Sequence, residues 1–307
     1  MRYPIRAMVT LLALVALAAA PLAGCGSGGG DKSGASDSKG DKKDKKDSKK
    51  GDKKGDKDAK SNKKPKNVPK KLNADDLEGK TTLVMPSPDQ FLSVLAILGD
   101  PKWDELVDTI DKQDYDSKTQ TAMVAGIVLA HFFVHVHAKD GDKAVAALDH
   151  MLAMADNLGV EKPEKEVKKV KKRIKKKQWA ELRQDFLDMN QKLQDDLIKR
   201  QKKPDLAILI SLGAYLEGAN LGATIISSDY SEQRAELLRQ GDLIREVKSS
   251  TKKTLKKDDK HVAMMLKSLD DLQDVMDVKA DESISEDKAK EIRKLASKTR
   301  KKLLEKG

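Results

Sequence analysis

Residues 205–228 read DLAILISLGAYLEGANLGATIISS, and this stretch decides the fold. Apolar residues fall on every side of its helical projection, and Glu217 is its only charged residue after the first position. A helix that is apolar all round is buried in a protein core or in a membrane. Gly213, Gly218 and Gly222 lie within it, although each costs about 1 kcal/mol relative to alanine in a helix. We therefore predict a central helix whose glycines allow a neighbouring backbone to approach closely.

A second stretch of the same kind spans residues 122–138 and reads AMVAGIVLAHFFVHVHA, without Asp, Glu, Lys or Arg. Ala122, Gly126 and Ala130 form a strip of small residues at i, i+4 and i+8, on one face of a helix. We predict that the two helices cross at the centre of the domain, with their small residues in contact. Polar side chains inside both stretches argue against the alternative that either one spans a membrane.

The remaining sequence from Asn73 onward is also helical in pattern, with Gly and Pro at the ends of apolar segments and no alternation typical of strands. The sequence predicts an all-α fold, a single multi-helix bundle domain over residues 73–307 with eight or nine helices. Ser87-Pro88-Asp89-Gln90 has the form of a helix start, and Ser283-Ile284-Ser285-Glu286 has that of a capping box. With the two central helices included, we predict helices near 117–139, 142–158, 161–178, 179–202, 205–228, 231–249, 258–279 and 284–305.

The N-terminus has the three parts of an export signal. Two arginines supply positive charge, and residues 8–20 form an uncharged, mostly apolar run that is short for a membrane span, which needs about 20 residues. Leu22-Ala23-Gly24-Cys25 then resembles the lipobox of bacterial lipoproteins and contains the only cysteine of the chain. The resemblance implies that residues 1–24 are a signal peptide removed before Cys25, which then carries diacylglycerol and an N-linked fatty acyl chain such as palmitate. The alternative is an ordinary secretory signal with a chance cysteine.

Residues 26–72 are a charged, low-complexity segment with 17 Lys and 8 Asp. Such a segment has too little apolar surface to fold, so with Cys25 it is predicted to form a disordered tether (residues 25–72) with a reach of about 35–40 Å. The tether also accounts for the basic isoelectric point, because residues 73–307 have a net charge of zero. Its lysines would be attracted to anionic lipid headgroups or to anionic envelope polymers, and a solvated spacer without a specific partner is the alternative.

Charge is unevenly distributed within the neutral domain. Residues 161–178 carry a net charge of +7, and residues 270–287 carry −7. These two segments are predicted either to attract each other or to remain independent solvated faces. In the second case the basic helix would offer an interaction surface, for which the candidate residues are Lys168, Lys171, Lys172 and Lys175.

His131 and His135 lie four residues apart, a spacing that allows two imidazoles to bind one metal ion. Glu217 from the other central helix could supply a third ligand for a metal ion or small molecule. The His-Glu-x-x-His pattern of zinc proteases is absent, and histidines in apolar helices are commonly packed structural residues. For Glu217 too, structural pairing is the alternative to acid–base catalysis, since a buried carboxylate needs a partner or a raised pKa.

The sequence contains no hydrolase elbow, phosphate-binding loop, dinucleotide fingerprint or calcium loop. We therefore expect a protein that is not an enzyme and needs no cofactor beyond the lipid on Cys25. Nucleic-acid binding is not expected, because the domain is neutral and its basic helix lacks interleaved aromatic residues. The favoured function is a membrane-anchored envelope module that binds an envelope protein or an anionic envelope polymer. A helical protein that binds a metal or small ligand through His131, His135 and Glu217 is the alternative.

Three segments carry a second resemblance: Met85–Phe91, Leu98–Trp103 and Gly213–Gly222. They are similar to uncharacterised all-helical lipoproteins of Gram-negative bacteria. The resemblance implies an envelope location and contributes no catalytic residues. Gly26 and Ser27 after the cysteine resemble outer-membrane sorting signals, so lipid anchoring in the outer membrane is expected in a Gram-negative host.

Overall fold

The computed structural model describes residues 88–98, 101–108, 110, 112–256, 258–279 and 281–305. All of them belong to the second of two compact units, which covers residues 81–307. The predicted signal peptide, Cys25 and the predicted tether lie outside the described residues. Within the described ranges the chain is helical and has no strand, which confirms the predicted all-α bundle.

Nine helices of eleven or more residues make up the described part of the domain. They are α1 (Pro88–Leu98), α2 (Lys118–His137), α3 (Gly141–Asn157), α4 (Glu164–Lys175), α5 (Trp179–Lys199), α6 (Pro204–Ser228), α7 (Gly241–Thr254), α8 (Lys260–Met276) and α9 (Glu286–Leu304). Short helical turns occur at Trp103–Glu105, Glu232–Ala235 and Glu236–Leu238.

Side-chain caps explain several helix starts. The Ser117 hydroxyl accepts a hydrogen bond from the backbone of Gln120 at 3.1 Å and starts α2.

Two predicted boundaries were wrong. Ser285, and not Ser283, caps α9. A helix near 231–249 is instead a short turn capped by Ser231, followed by α7 from Gly241.

The core is built around the crossing of α2 and α6, the two apolar helices, which pack against each other more extensively than any other pair. A β-carbon on Gly126 would overlap the carbonyl oxygen of Ile210 and lie 2.6 Å from the backbone nitrogen of Ala214. A β-carbon on Gly213 would overlap the carbonyl oxygen of Met123. The predicted close crossing of the two helices is therefore confirmed, and its contact points are Gly126 and Gly213.

The other two glycines of α6 do not contribute to this crossing. No atom lies within 4 Å of the position that a β-carbon on Gly218 would take, because Gly218 borders a cavity of about 30 Å³. At Gly222 a β-carbon would overlap the ring of Phe91, so this glycine makes room for α1. The prediction that Gly218 lies at a close helix contact was therefore wrong.

Both central helices are long and apolar enough to cross a bilayer by length and composition alone. However, 89% of the most apolar window of α2 and 83% of that of α6 are buried inside the domain. This is the position expected for the core helices of a bundle.

Candidate functional site

Glu217 lies at the centre of a buried polar network that joins three helices. Its side chain on α6 is 1% exposed. Its Oε1 lies 2.7 Å from Nε2 of His131 on α2, and its Oε2 lies 3.1 Å from Nε of Arg300 on α9. The amide of Asn220 adds a weaker contact to Oε2 at 3.5 Å. Both carboxylate oxygens thus have a partner from the same chain, and the Nε of Arg300 approaches Oε2 without hydrogen-bond alignment.

His135, the other half of the predicted histidine pair, does not join this network. It lies one turn further along α2 and is half-buried. Burial, with a smaller contribution from the charge of His131, lowers the pKa of His135 to about 4. The imidazole is therefore neutral at physiological pH.

The predicted metal-ligand set is only partly assembled. The structure brings His131 and Glu217 together and leaves His135 outside their contact. Within the described residues, no group of three or more His, Cys, Asp or Glu side chains is arranged to hold a metal ion. The guanidinium of Arg300 lies against Oε2 of Glu217, so a cation of the same chain already contacts this carboxylate.

A second buried network was missed by the sequence reasoning. Asp89, in the first turn of α1, is 2% exposed and accepts two hydrogen bonds from Arg183 on α5, at 2.8 and 3.0 Å. Nε2 of His137, at the end of α2, lies 3.4 Å from Oδ1 of Asp89 without hydrogen-bond alignment. The hydroxyl of Ser93 accepts a short hydrogen bond from Arg183. This network therefore fastens α1 to α2 and α5.

The electrostatics of Asp89 follow from these neighbours. Burial works to raise the pKa of Asp89, but His137 and the guanidinium of Arg183 together hold it below its ordinary value. The ring of Trp103 stacks on that of His137, with centroids 4.6 Å apart, and closes the network on one side. Asp89 is thus an ionised, fully partnered carboxylate.

The basic helix predicted over 161–178 is α4, and its apolar seam is buried as expected. Val167, Val170 and Ile174 pack into the core. Lys169 and Arg173 both pair with Asp185 on α5, at 2.7 and 2.9 Å. These contacts fasten α4 to its neighbour and offset part of the positive charge on one side of the helix.

The four candidate lysines of α4 have different surroundings. Lys171 pairs with Asp149 on α3 at 2.7 Å, and Lys168 makes a long contact of 3.9 Å with Glu164 on a fully solvated face. Lys172 and Lys175 are exposed and have no ion-pair partner among the described residues.

The acidic segment over 270–287 uses other partners. Asp270 pairs with Lys248, and Asp277 pairs with Arg245 at 2.6 Å. Lys248 and Arg245 both belong to α7. Among the described residues, no ion pair joins this segment to α4, so the predicted attraction between the two segments inside the domain was wrong.

A second basic surface, on α9, was also missed. Residues 292–304 contain no Asp or Glu, and four exposed lysines there have no ion-pair partner in the described part of the chain. They are Lys294, Lys298, Lys301 and Lys302. The repeat of three or four residues that places them on one helix face was a signal available in the sequence.

A groove of about 450 Å³ lies beside the C-terminal end of α6. Leu95, Leu106 and Ile225 contribute its apolar wall. Its charged rim residues pair with one another, Arg234 with Asp229 and Lys102 with Glu105. The groove therefore presents no unpaired charge to a ligand.

Comparison with protein-family models, with curated proteins and with solved structures finds no match to this chain. The chemistry of the site must therefore be judged from its geometry. Each central carboxylate accepts contacts from one arginine and one imidazole in a closed core. This arrangement can hold helices together, and it leaves neither carboxylate open to a substrate.

Proposed function

We propose that this protein is a lipid-anchored, non-enzymatic helical module of the bacterial cell envelope, held at the membrane through Cys25. The observation that carries the proposal is the tetrapeptide Leu22-Ala23-Gly24-Cys25, which follows a short apolar run and holds the only cysteine. Acyl chains on one residue would suffice as an anchor, because each buried methylene contributes about 0.8 kcal/mol and two chains hold a protein stably.

The folded domain supports a binding or structural role more than catalysis. Glu217 and Asp89 are the buried carboxylates of the described core, and each is held by an arginine and a histidine of the same chain. Enzymes instead keep their acids and bases within reach of a substrate. The alternative of a metal or ligand site at His131, His135 and Glu217 has less support, because Arg300 already contacts Glu217.

Substitution of the cysteine tests the anchor. In a bacterial host fed labelled palmitate, the natural chain should carry the label and partition into detergent, whereas Cys25→Ser should do neither and should retain residues 1–24. Ser27→Ala, two residues away, is the matched control and should be labelled normally. Normal maturation and detergent partitioning of Cys25→Ser would refute the proposal.

A further inference from the structure

The lysines of α4 that lack partners form a continuous stripe. Lys165, Lys172, Lys175 and Lys176 are exposed, and none of their side chains has an ion-pair or hydrogen-bond partner among the described residues. At 100° per residue Lys165, Lys172 and Lys176 lie on the side of the helix opposite the buried seam of Val167, Val170 and Ile174. Lys175 lies about 100° from that seam. The stripe therefore faces solvent with four uncompensated charges and has no apolar side chain to insert.

The start of α1, called here the entry end, lies at the end of the bundle where this stripe finishes. Pro88 is the first described residue, and its neighbour Asp89 is held by Arg183. Arg183 lies four residues, or about 6 Å of helix, beyond Trp179 at the start of α5. The turn that leads into Trp179 follows directly from the last turn of α4, so Lys175 and Lys176 lie at the entry end.

Contacts of α2 and α3 locate the same end independently. His137, at the C-terminal end of α2, lies 3.4 Å from Asp89. Gly141, at the start of α3, packs beside the side chains of Ile174 and Trp179. Five helix ends thus meet at the entry end.

The basic stripe of α9 lies toward the opposite end of α2. The side-chain amide of Gln120 donates to the carbonyl oxygens of Leu303 and Glu305, both at 2.9 Å. Gln120 is 17 residues from His137 along α2, a rise of about 26 Å. The domain therefore carries two unpaired lysine stripes, and only that of α4 finishes at the entry end.

We propose that the α4 stripe docks the domain on anionic lipid headgroups of the membrane that holds Cys25. This inference rests on the proposed lipid anchor, because the side on which the anchored chain joins the domain is what favours the α4 stripe over the α9 stripe. Each lysine near an anionic leaflet is only weakly attracted to it, so four lysines bind weakly on their own. Attachment to the same bilayer raises the effective concentration of the stripe to the millimolar range, where weak binding becomes significant. Because the apolar seam is buried, the contact stays at the level of the headgroups.

The two tryptophans of the chain provide an internal probe. Trp103 stacks on His137 and Trp179 starts α5, so both lie at the entry end. The lipidated mature protein would be reconstituted into vesicles of phosphatidylcholine alone or mixed with phosphatidylglycerol. Energy transfer from tryptophan to an acceptor on the headgroups then reports how close this end lies to the membrane.

At about 0.1 M salt we expect greater transfer on the anionic vesicles, and loss of that excess at about 1 M, where the Debye length falls to about 3 Å. Replacement of the four α4 lysines by glutamine should abolish the excess. The matched control replaces Lys294, Lys298, Lys301 and Lys302 by glutamine and should retain it. Thermal melts of both variants establish that each is folded.

The inference would be overturned if the α4 variant kept the excess energy transfer on anionic vesicles. It would also be overturned if the α9 control lost that excess to the same extent. Binding of inorganic polyphosphate by the α4 stripe without any lipid-dependent transfer would also overturn it, in favour of a soluble polyanion. Sedimentation with vesicles at about 1 M salt reports the lipid anchor separately, because charge attraction is then screened. Failure of the anchor is thus distinguished from failure of the docking surface.

Discussion

The same substitution, glycine to alanine, should have opposite effects at two positions of α6. At Gly213 the new methyl group would overlap the carbonyl oxygen of Met123 and lie 2.7 Å from its carbonyl carbon. Since these are backbone atoms of a packed helix, α2 and α6 must move apart. At Gly218 the methyl group would meet no atom within 4 Å.

The magnitudes follow from two opposing contributions. Overpacking of a close contact costs about 1–3 kcal/mol or more, whereas alanine favours a helix over glycine by about 1 kcal/mol. Gly213→Ala should therefore destabilise the domain by about 2 kcal/mol, while Gly218→Ala should stabilise it by up to about 1 kcal/mol. For a domain of this size, 1 kcal/mol shifts the melting temperature by about 2–4 °C. We expect a fall of about 4–8 °C for the first variant and a rise of about 2–4 °C for the second.

The assay is thermal unfolding of the full chain followed by circular dichroism, with urea unfolding as a second measurement. Gly126→Ala is the reciprocal test and should match Gly213→Ala, because it would meet the backbone of Ile210 and Ala214 from the other side. A Gly213→Ala variant that melts at or above the natural chain would refute the close crossing. Destabilisation by Gly218→Ala would refute the open space beside that residue.

Three further predictions concern the buried polar groups. Arg183→Ala should destabilise the domain by about 3 kcal/mol at neutral pH, since it leaves Asp89 buried without its cation. Because the pKa of Asp89 lies below 3.8, that contribution is present at higher pH and disappears as pH falls through the lowered value, so the cost should shrink in acid. Glu217→Gln should cost about 3 kcal/mol, part of which the added change Arg300→Met should restore in a double-mutant cycle of urea unfolding. Burial lowers the pKa of His135 from 6.5 to about 4, so stability should fall as pH drops between those values, and His135→Gln should reduce the fall.

Exposed pairs provide the controls for these variants. Arg200 pairs with Asp196 and Glu161 at the surface, so Arg200→Ala should change stability little at any pH. A cost of Arg183→Ala that stays constant down to acid pH would contradict the proposed state of Asp89. Glu217→Gln with unchanged stability would show that the buried network contributes nothing to the core.

The central helices could be predicted from sequence because their composition alone requires burial. Which of their glycines contact a neighbouring helix depends on the helix face that each one occupies. Sequence spacing predicts this only in part. At 100° per residue, Gly213 and Gly222 lie on opposite faces of α6, so they cannot both touch α2. This separation agrees with the structure, in which Gly213 meets α2 and Gly222 meets Phe91 of α1. The cavity beside Gly218 depends on packing by α1 and α7 and has no signal in α6 itself.

The partners of the buried carboxylates could likewise be predicted from sequence only in part. The pairing of His131 with Glu217 could be anticipated, because both interrupt apolar helices that were expected to cross. Arg300 could not be anticipated as a partner, since it lies on an amphipathic helix with many other basic residues. Arg183 lies on a helix rich in acidic residues, any of which could have been its partner. Asp89 was interpreted as part of a helix start, and Arg183 lies 94 residues away. A long-range ion pair leaves no periodic pattern in a sequence.

The Asp89 network explains how a short first helix is held at the entry end. With 11 residues, α1 is too short to be stable alone, and its packing must come from Leu92, Leu95 and this network. Asp89, in its first turn, accepts two hydrogen bonds from Arg183. Because Arg183 belongs to α5 and His137 to α2, the contacts of Asp89 join the first turn of α1 to both of these helices. The same contact that holds α1 therefore also fixes the entry end beside the lysine stripe of α4.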